Sequence, residues 1–580
     1  MRYIKNISVP RSSVKSSHAF DGEGFSLSVM KNVSDRCYPS ITPRGKRAVL
    51  GKYGKIAAFL PDEIPVRIEN GRFYIGQTQV SEEYIPENFR HTVLRLGEFF
   101  TVIPYGLFFH ATDHSLYGSM RKSFYMGAQG VEVATVDANM NVITEYTPLR
   151  TRIPAAEEGE LWAKPREEGG YEMQRYDGQE WRPYESYVRL KSSSLGSSFR
   201  VGDVLECTGA DHVLPRYMRV THSDAEGICF AGATPHVEKI DFFSIKRPIP
   251  FLQQSLISNG RAVGVYSGYG ENGEFISRVY ASALNDPLCW SEYGGALSAD
   301  IGGSETFNAI VNFDGDILAF RENSIVRIHI YEEKISFSVI ECEGVALGAE
   351  KSVAVIGKKV YYKSPSAICV FDGTAVKRIP SSFGKLIYDT ENGTPAAAYN
   401  GKYYVSLKDG NGKRAIYVYN PESRIWCVED DPGVNCFINV GGTLLAVCNT
   451  EGGSTLMLWD YDSAGQAVIN RFSSEGYPVY ENTVSWSFES GTLGADVKKG
   501  MRPSRVYIRA ELRDGATLGV GLIYCGRGTP ESVVNISDGK SGYFEIPMRA
   551  VKDGMPRIAV YGKGDAEIFG YDVEYVSDKA

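Results

Sequence analysis

The chain has 580 residues, a formal net charge of −8 and an ordinary apolar content, enough for two to four domains with sizeable cores. Its acidic balance argues against a general nucleic-acid binder, and it contains no apolar run long enough to span a membrane. With 61 Gly, 36 Tyr and 27 Phe the composition favours strands and turns over helices.

The N-terminus, Met1-Arg2-Tyr3-Ile4-Lys5-Asn6, lacks the apolar core of a signal peptide. Residues 1–45 are expected to form an extended arm with isolated apolar anchors at Phe20, Phe25, Leu27, Val29 and Tyr38. Pro39 and Pro43 interrupt any ladder there, so the arm gains order only by lying on another surface. The basic run Arg44, Lys46 and Arg47 suits a solvated or interface arm, or a contact with DNA in a channel.

Residues 46–129 read as the first part of a β-propeller, with "RLGEFFTVIPYGLFFHA" as one blade. It closes on "HATDHS", where His110 and His114 stand at i and i+4 beside Asp113; that spacing suits a metal on a helix, but a polar loop tip closing the strand fits better. From 130 to 248 the rhythm breaks. That stretch is expected to be an inserted module containing a small five-strand barrel or sandwich.

The propeller resumes over 249–480. Gly315, Gly357, Gly401 and Gly441 stand 42, 44 and 40 residues apart, each between two apolar strands. The clearest unit, "YNGKYYVSLKDGNGKRAIYVYNPESRIW", is strand, Gly-rich turn, strand and Trp. A period near 40 with four short strands marks a propeller blade, and about five to seven blades are expected. The alternative is a stack of unrelated antiparallel sheets. Over 481–580 the stretch "RVYIRAELRD" alternates, with Val506, Ile508, Ala510 and Leu512 inward and Arg505, Tyr507, Arg509 and Arg513 outward. With the strands after it this makes a C-terminal β-sandwich. The expected fold is therefore all-β.

The chemistry-bearing residues are sparse. Ten cysteines form no C-x-x-C pair, so structural zinc and a disulfide framework are not expected, and the thiols are read as buried small hydrophobes. "YSGYGENG" is Gly-rich without a following helix, so it is no phosphate cradle. Asp460 and Asp462 before Gly465 half-resemble a calcium loop, but the distal carboxylate is missing. Glu429, Asp430 and Asp431 are adjacent acids that a strand would point to opposite faces, beside Asp-Pro-Gly turn chemistry. No catalytic residue, metal ligand or cofactor site is expected, and the chain is not expected to be an enzyme.

Two stretches carry a family resemblance. "FDGEGFSLSVMKNVSDRCYPSITPRGKR", through Met30-Lys31-Asn32-Val33-Ser34, Tyr38-Pro39 and Pro43-Arg44-Gly45, resembles the N-terminal segment of tail-associated virion proteins of phages and prophages. "SRVYASALNDPLCWSEY" resembles the Asp-Pro-x-x-Trp segment of the same proteins, and "FDGDILAFREN" the part that follows it; the region around Phe199-Arg200-Val201-Gly202-Asp203 and the C-terminal sandwich look alike too. The resemblance implies a structural tail or neck adaptor, similar to propeller-containing DNA stabilisation proteins. It implies tail, portal or neck proteins as partners, a homo-oligomer, contact with packaged DNA or host glycan, and a place in the virion after synthesis in the bacterial cytoplasm. Phe20, Phe25, Tyr38, Arg44, Arg47, Arg505 and Arg509 are the interface candidates. A glycan-binding or glycan-degrading tail protein is the competing reading, since propellers and sandwiches serve both.

Overall fold

The computed structural model describes residues 2–8, 27–37, 40–87, 90–148, 153–154, 156–270, 272–381, 386, 393–461, 464–490, 501–513, 515–523, 531–537, 541–547 and 557–577. Its regular secondary structure is almost entirely strand, in many antiparallel sheets; among the described residues the α-helical stretches are Ser193–Gly196 and Gln466–Phe472. No helix among them is long and apolar enough to cross a membrane. The chain forms two compact units, one of Met1–Asn70, Leu318–Val326 and Val339–Ala580, the other of Gly71–Ile317 and Arg327–Ser338.

In the second unit one sheet runs in chain order through Thr92–Leu96, Phe99–Ile103, Leu107–His110 and Tyr117–Ser119. A second runs through Gln254–Ser258, Arg261–Tyr269, Phe275–Ala281 and Leu297–Asp300. Their first strands lie against each other, and Gln254–Ser258 lies in turn against Ala309–Phe313. Leu96, Phe108, Met120, Leu252, Ala262 and Trp290 form the shared core.

The intervening segment folds mainly as one eight-stranded sheet, ordered Ser123–Met126, Phe243–Lys246, Val204–Thr208, Tyr217–Asp224, Gly227–Ala231, Tyr187–Lys191, Val131–Val136 and Lys239–Ile240. Leu190, Leu205, Val220, Phe230 and Ile245 are fully or almost fully buried in its core. A five-strand module undercounts it. Strands drawn from before residue 199 alternate as cleanly as those after it, and hydrogen-bond into the same sheet.

In the first unit one sheet comprises Ala354–Ile356, Lys359–Lys363, Ile368–Phe371 and Val376–Arg378. The next is Ala396–Tyr399, Lys402–Lys408, Arg414–Asn420 and Ile425–Asp430, the next Val434–Val440, Thr443–Thr450 and Gly453–Leu458. Again first strand abuts first strand, 354–356 on 396–399 on 434–440. The last of these sheets takes its fourth strand, Ala48–Tyr53, from near the N-terminus. Lys402–Lys408 shows why such sheets need neighbours: Tyr403, Val405 and Leu407 pack on one side with Trp426, while Tyr404 packs on the other with Ile416 and Val418.

The four periodic glycines each occupy the turn between first and second strands of a sheet, with φ of 84°, 57°, 72° and 53° at Gly315, Gly357, Gly401 and Gly441. Gly315 falls in the second unit and the other three in the first.

At the C-terminus two sheets face each other. One is ordered Arg2–Ser8, Ala566–Ser577, Met501–Leu512, Ser541–Pro547. The other contains Ser485–Ser490, Arg557–Lys563, Thr517–Ile523 and Glu531–Ser537. Val506, Ile508, Ala510 and Leu512 point into the core with Leu518, Val520, Ile558 and Val560, as their alternation requires. The N-terminal strand Leu27–Lys31 joins this second sheet to Ile425–Asp430, pairing antiparallel with Ser485–Ser490 and parallel with 425–430. The described parts of the arm are thus hydrogen-bonded into their own chain.

Candidate functional site

The residues after Leu27–Lys31 build the most elaborate polar cluster of the first unit. Asn32 adopts φ 53°, a left-handed conformation that Asn tolerates. From there its amide nitrogen donates to Asp430 Oδ2 at 2.5 Å and to the Ser485 carbonyl at 2.9 Å, while its Oδ1 accepts from the Asp430 backbone at 3.0 Å. Two strands are clasped by one side chain.

Arg44 and Arg47 follow, both buried. Arg44 makes a two-pronged contact with Glu481, 2.8 Å on each side. Arg47 donates to Glu429 at 2.8 Å and lies over the Trp459 ring at 3.6 Å. Trp459 Nε1 donates to the same Glu429 oxygen at 3.1 Å. Burial, with Arg44 close by, pulls the Arg47 guanidinium down from its ordinary value despite the carboxylates. Burial alone would raise the Glu481 carboxyl, but Arg44 holds it below its ordinary value.

These groups border a cavity of about 640 Å³, lined by Asp35, Arg44, Lys402, Tyr404, Glu429 and Trp459 among others. Asp35 is its most committed acid: it pairs with Lys402 and accepts from Asn420 at 2.8 Å and Ser423 at 2.6 Å. Burial favours its neutral form, yet Lys402 and these donors keep its carboxyl below the usual range. Asp35, Glu429, Arg44 and Lys402 each hold an opposite charge, the arrangement of a buried ionic lock. Among the described residues no group of three or more His, Cys, Asp or Glu side chains is placed to hold a metal ion.

The acids singled out in the sequence separate as adjacent strand residues do. Glu429 faces Arg47, Asp430 faces Asn32, and Asp431 caps the following turn, accepting from the Gly433 and Val434 backbones at 2.8 Å each and from Arg414 at 3.1 Å. Asp460 lies against Gly45, where an added Cβ would stand 2.3 Å from its Oδ1; Asp462 is outside the described residues. Gly465 precedes the helix Gln466–Phe472 rather than a metal loop. His110 Nδ1 accepts from the Asp113 backbone at 3.0 Å, and Asp113 accepts from Ser115, an exposed turn.

Among the interface candidates, the expected exposure of Arg44 and Arg47 is corrected: internal carboxylates draw both guanidinium groups inward. Arg505 pairs with Glu545 at 2.7 Å on the sandwich surface, and exposed Arg509 lies 6.0 Å from the Phe569 ring. Phe20, Phe25 and Tyr38 lie outside the described residues. Sequence reasoning missed Asp35, Lys402, Glu481 and Trp459 as members of one cluster. Their separations along the chain, up to hundreds of residues, leave no local signal.

No known family model matches the sequence, and no curated protein matches it. Among solved structures the chain is similar to exo-β-1,3-galactanase from Phanerochaete chrysosporium (10% identity, 78% of this chain and 100% of that one, TM-score 0.19). It is also similar to AztD from Citrobacter koseri (10% identity, 71% and 97%, TM-score 0.27) and to xylan β-1,4-xylosidase from Bacillus halodurans (7% identity, 56% and 97%, TM-score 0.17). Scores this low carry no inference about this chain.

Proposed function

We propose that this chain is a non-enzymatic structural component of a phage or prophage virion tail, a tail or neck adaptor that docks neighbouring virion proteins. The observation that carries the reading is the use made of the segment resembling virion proteins. Asn32, Arg44 and the strand Leu27–Lys31 tie a four-stranded sheet to the C-terminal sandwich. The acids around them serve as ion-pair partners and turn caps, so the cluster reads as a brace rather than a reaction centre.

We further propose that the four-stranded sheets are blades of a β-propeller of about five to seven blades. Sheets 92–119 and 254–300 of the second unit and 354–378, 396–430 and 434–458 of the first, the last closed by Ala48–Tyr53, are the clearest blades. First-strand contacts within each unit, Thr92–Leu96 with Gln254–Ser258 with Ala309–Phe313 and Ala354–Ile356 with Ala396–Tyr399 with Val434–Val440, support this, because blades of a propeller converge on their inner strands. The eight-stranded insert and the sandwich are then the proposed docking faces.

The test is to purify particles from an induced host and locate the chain by mass spectrometry and electron microscopy. Its presence in the tail or neck of intact particles is the expected result; its absence from purified particles overturns the reading. The glycan reading makes a different forecast: binding to, or release of reducing ends from, host envelope polysaccharide by the purified chain.

A further inference from the structure

Outer strands of a sheet expose unpaired N–H and C=O groups, and proteins keep such edges short or covered. This chain does so repeatedly. Thr78–Gln79 has two residues, Tyr117–Ser119 and Val376–Arg378 three each, and Leu297–Asp300 four. Ile425–Asp430 is covered by Leu27–Lys31, and Ala48–Tyr53 by Val479–Tyr480. Lys334–Glu341 departs from that rule. It is eight residues long, is the end strand of its sheet among the described residues, and carries Phe337 and Val339 at 41% and 42% exposure.

The geometry of its hairpin fixes which groups face outward. Ser324–Tyr331 and Lys334–Glu341 are joined by Glu332 and Glu333, and Glu332 has φ 51°. A two-residue connection sets Tyr331 opposite Lys334 as a hydrogen-bonded pair. The bond from Cys342 N to the Asn323 carbonyl, 3.1 Å, keeps the same register at the far end. Even-numbered residues therefore bond inward, and Ile335, Phe337 and Val339 turn their backbone groups to the open edge. Their side chains share the face that carries Ile328 and Ile330.

We propose that this edge is a self-association site, pairing antiparallel with the same strand of a second copy of the chain. A two-fold axis through Phe337 sets Phe337 opposite Phe337, Ile335 opposite Val339 twice, and Ser336 opposite Ser338 twice. The four-stranded sheets of the two copies then join edge to edge, with a continuous stripe of Ile335, Phe337 and Val339 from both copies. Like charges, Glu333 and Glu341, meet only at the ends, so added salt is expected to tighten the pairing. The proposal rests on this strand alone and stands or falls independently of the virion reading.

Sedimentation equilibrium of the full chain is expected to show a concentration-dependent dimer. Phe337→Pro removes one outward N–H and no inward one, so it is expected to leave a folded monomer with unchanged circular dichroism. Under mild oxidation Phe337→Cys is expected to give a covalent dimer beyond the background of the parent chain, because opposed residues of such a pair lie within disulfide reach. Lys334→Cys, which faces Ile340 rather than itself, is the control that should not. A wild-type chain that stays monomeric across the micromolar range overturns the proposal, as does a dimer that persists in Phe337→Pro. If that variant misfolds, failure of Phe337→Cys to cross-link overturns it instead.

Discussion

Arg47 illustrates how a charged side chain is held in an apolar setting. Its guanidinium stacks on Trp459, bonds Glu429 at 2.8 Å and bonds the Asp430 carbonyl at 2.9 Å. Removing one partner of such a pair strands the other charge, which typically costs about 3–5 kcal/mol. Arg47→Met is expected to lower unfolding free energy by that order in denaturant titration. Adding Glu429→Gln is expected to restore part of the loss, because the stranded carboxylate is then neutral. Lys363 makes the second residue-scale forecast. It is buried, donates to the Ser364 carbonyl, and burial pushes its pKa down from 10.5 to about 8. Between those values the unfolded chain holds a proton that the folded chain has released, so stability rises with pH. The rise from pH 8 to about pH 10 is expected to be on the order of 2 kcal/mol, and Lys363→Met is expected to flatten that slope. Glu343 works at the acid end. Burial opposes its charged form, but Ser364, Ser366 and Arg378 bring it from 4.5 to about 2. The stability it contributes is fully present above pH 4.5 and is lost as pH falls toward 2, a loss that Glu343→Gln is expected to remove from the acid unfolding curve.

Turns and edges decide behaviour at the level of elements. Gly357 and Gly401 turn with φ of 57° and 72°, and a Cβ added at either would meet nothing within 4 Å. An alanine there suffers backbone strain alone, about 1–2 kcal/mol, so Gly357→Ala and Gly401→Ala are expected to fold with that reduction in stability. Gly45→Ala differs in kind, since its Cβ would strike Asp460 at 2.3 Å. Its cost is expected to exceed that of either turn variant, by thermal melting of all three side by side. The Gly401 turn was readable in the sequence because Asn-Gly chemistry is local, whereas Gly357, which follows Ile356, was readable from the spacing of the repeat. The alternation over 505–512 was equally readable, and the burial of Val506, Ile508, Ala510 and Leu512 follows it. The helix Gln466–Phe472 was not, since it is seven residues long and its buried Ile469 and Phe472 gain their meaning only from the strands they cover.

For the whole molecule the decisive feature is the path of the N-terminal segment. Arg2–Ser8 pairs residue for residue with Gly570–Val576, and Leu27–Lys31 bridges two other strands. Deleting residues 1–31 is therefore expected to raise amide exchange over 566–577 and 485–490 while leaving 92–119 protected. Uniform protection after the deletion would show that the arm is dispensable to the fold. An arm bound in this way can still present its remaining surface to a partner, so this test is separate from that of virion incorporation.

The sequence by itself determined the strand-rich class, the glycine turns, the inward and outward faces of the sandwich strand, and the pairing of aromatic runs into hairpins. Each of these depends on backbone preference or on side-chain alternation over a few residues. Only the tertiary structure decided that Arg44 and Arg47 turn inward, that Asp35 meets Lys402, and that strands from the N-terminus complete sheets near the C-terminus. Those outcomes depend on which charges are brought together after the chain has closed loops of hundreds of residues. Burial then converts a basic run that looks like an exposed arm into a set of paired ions, because an unpaired charge in that interior would be too costly to keep.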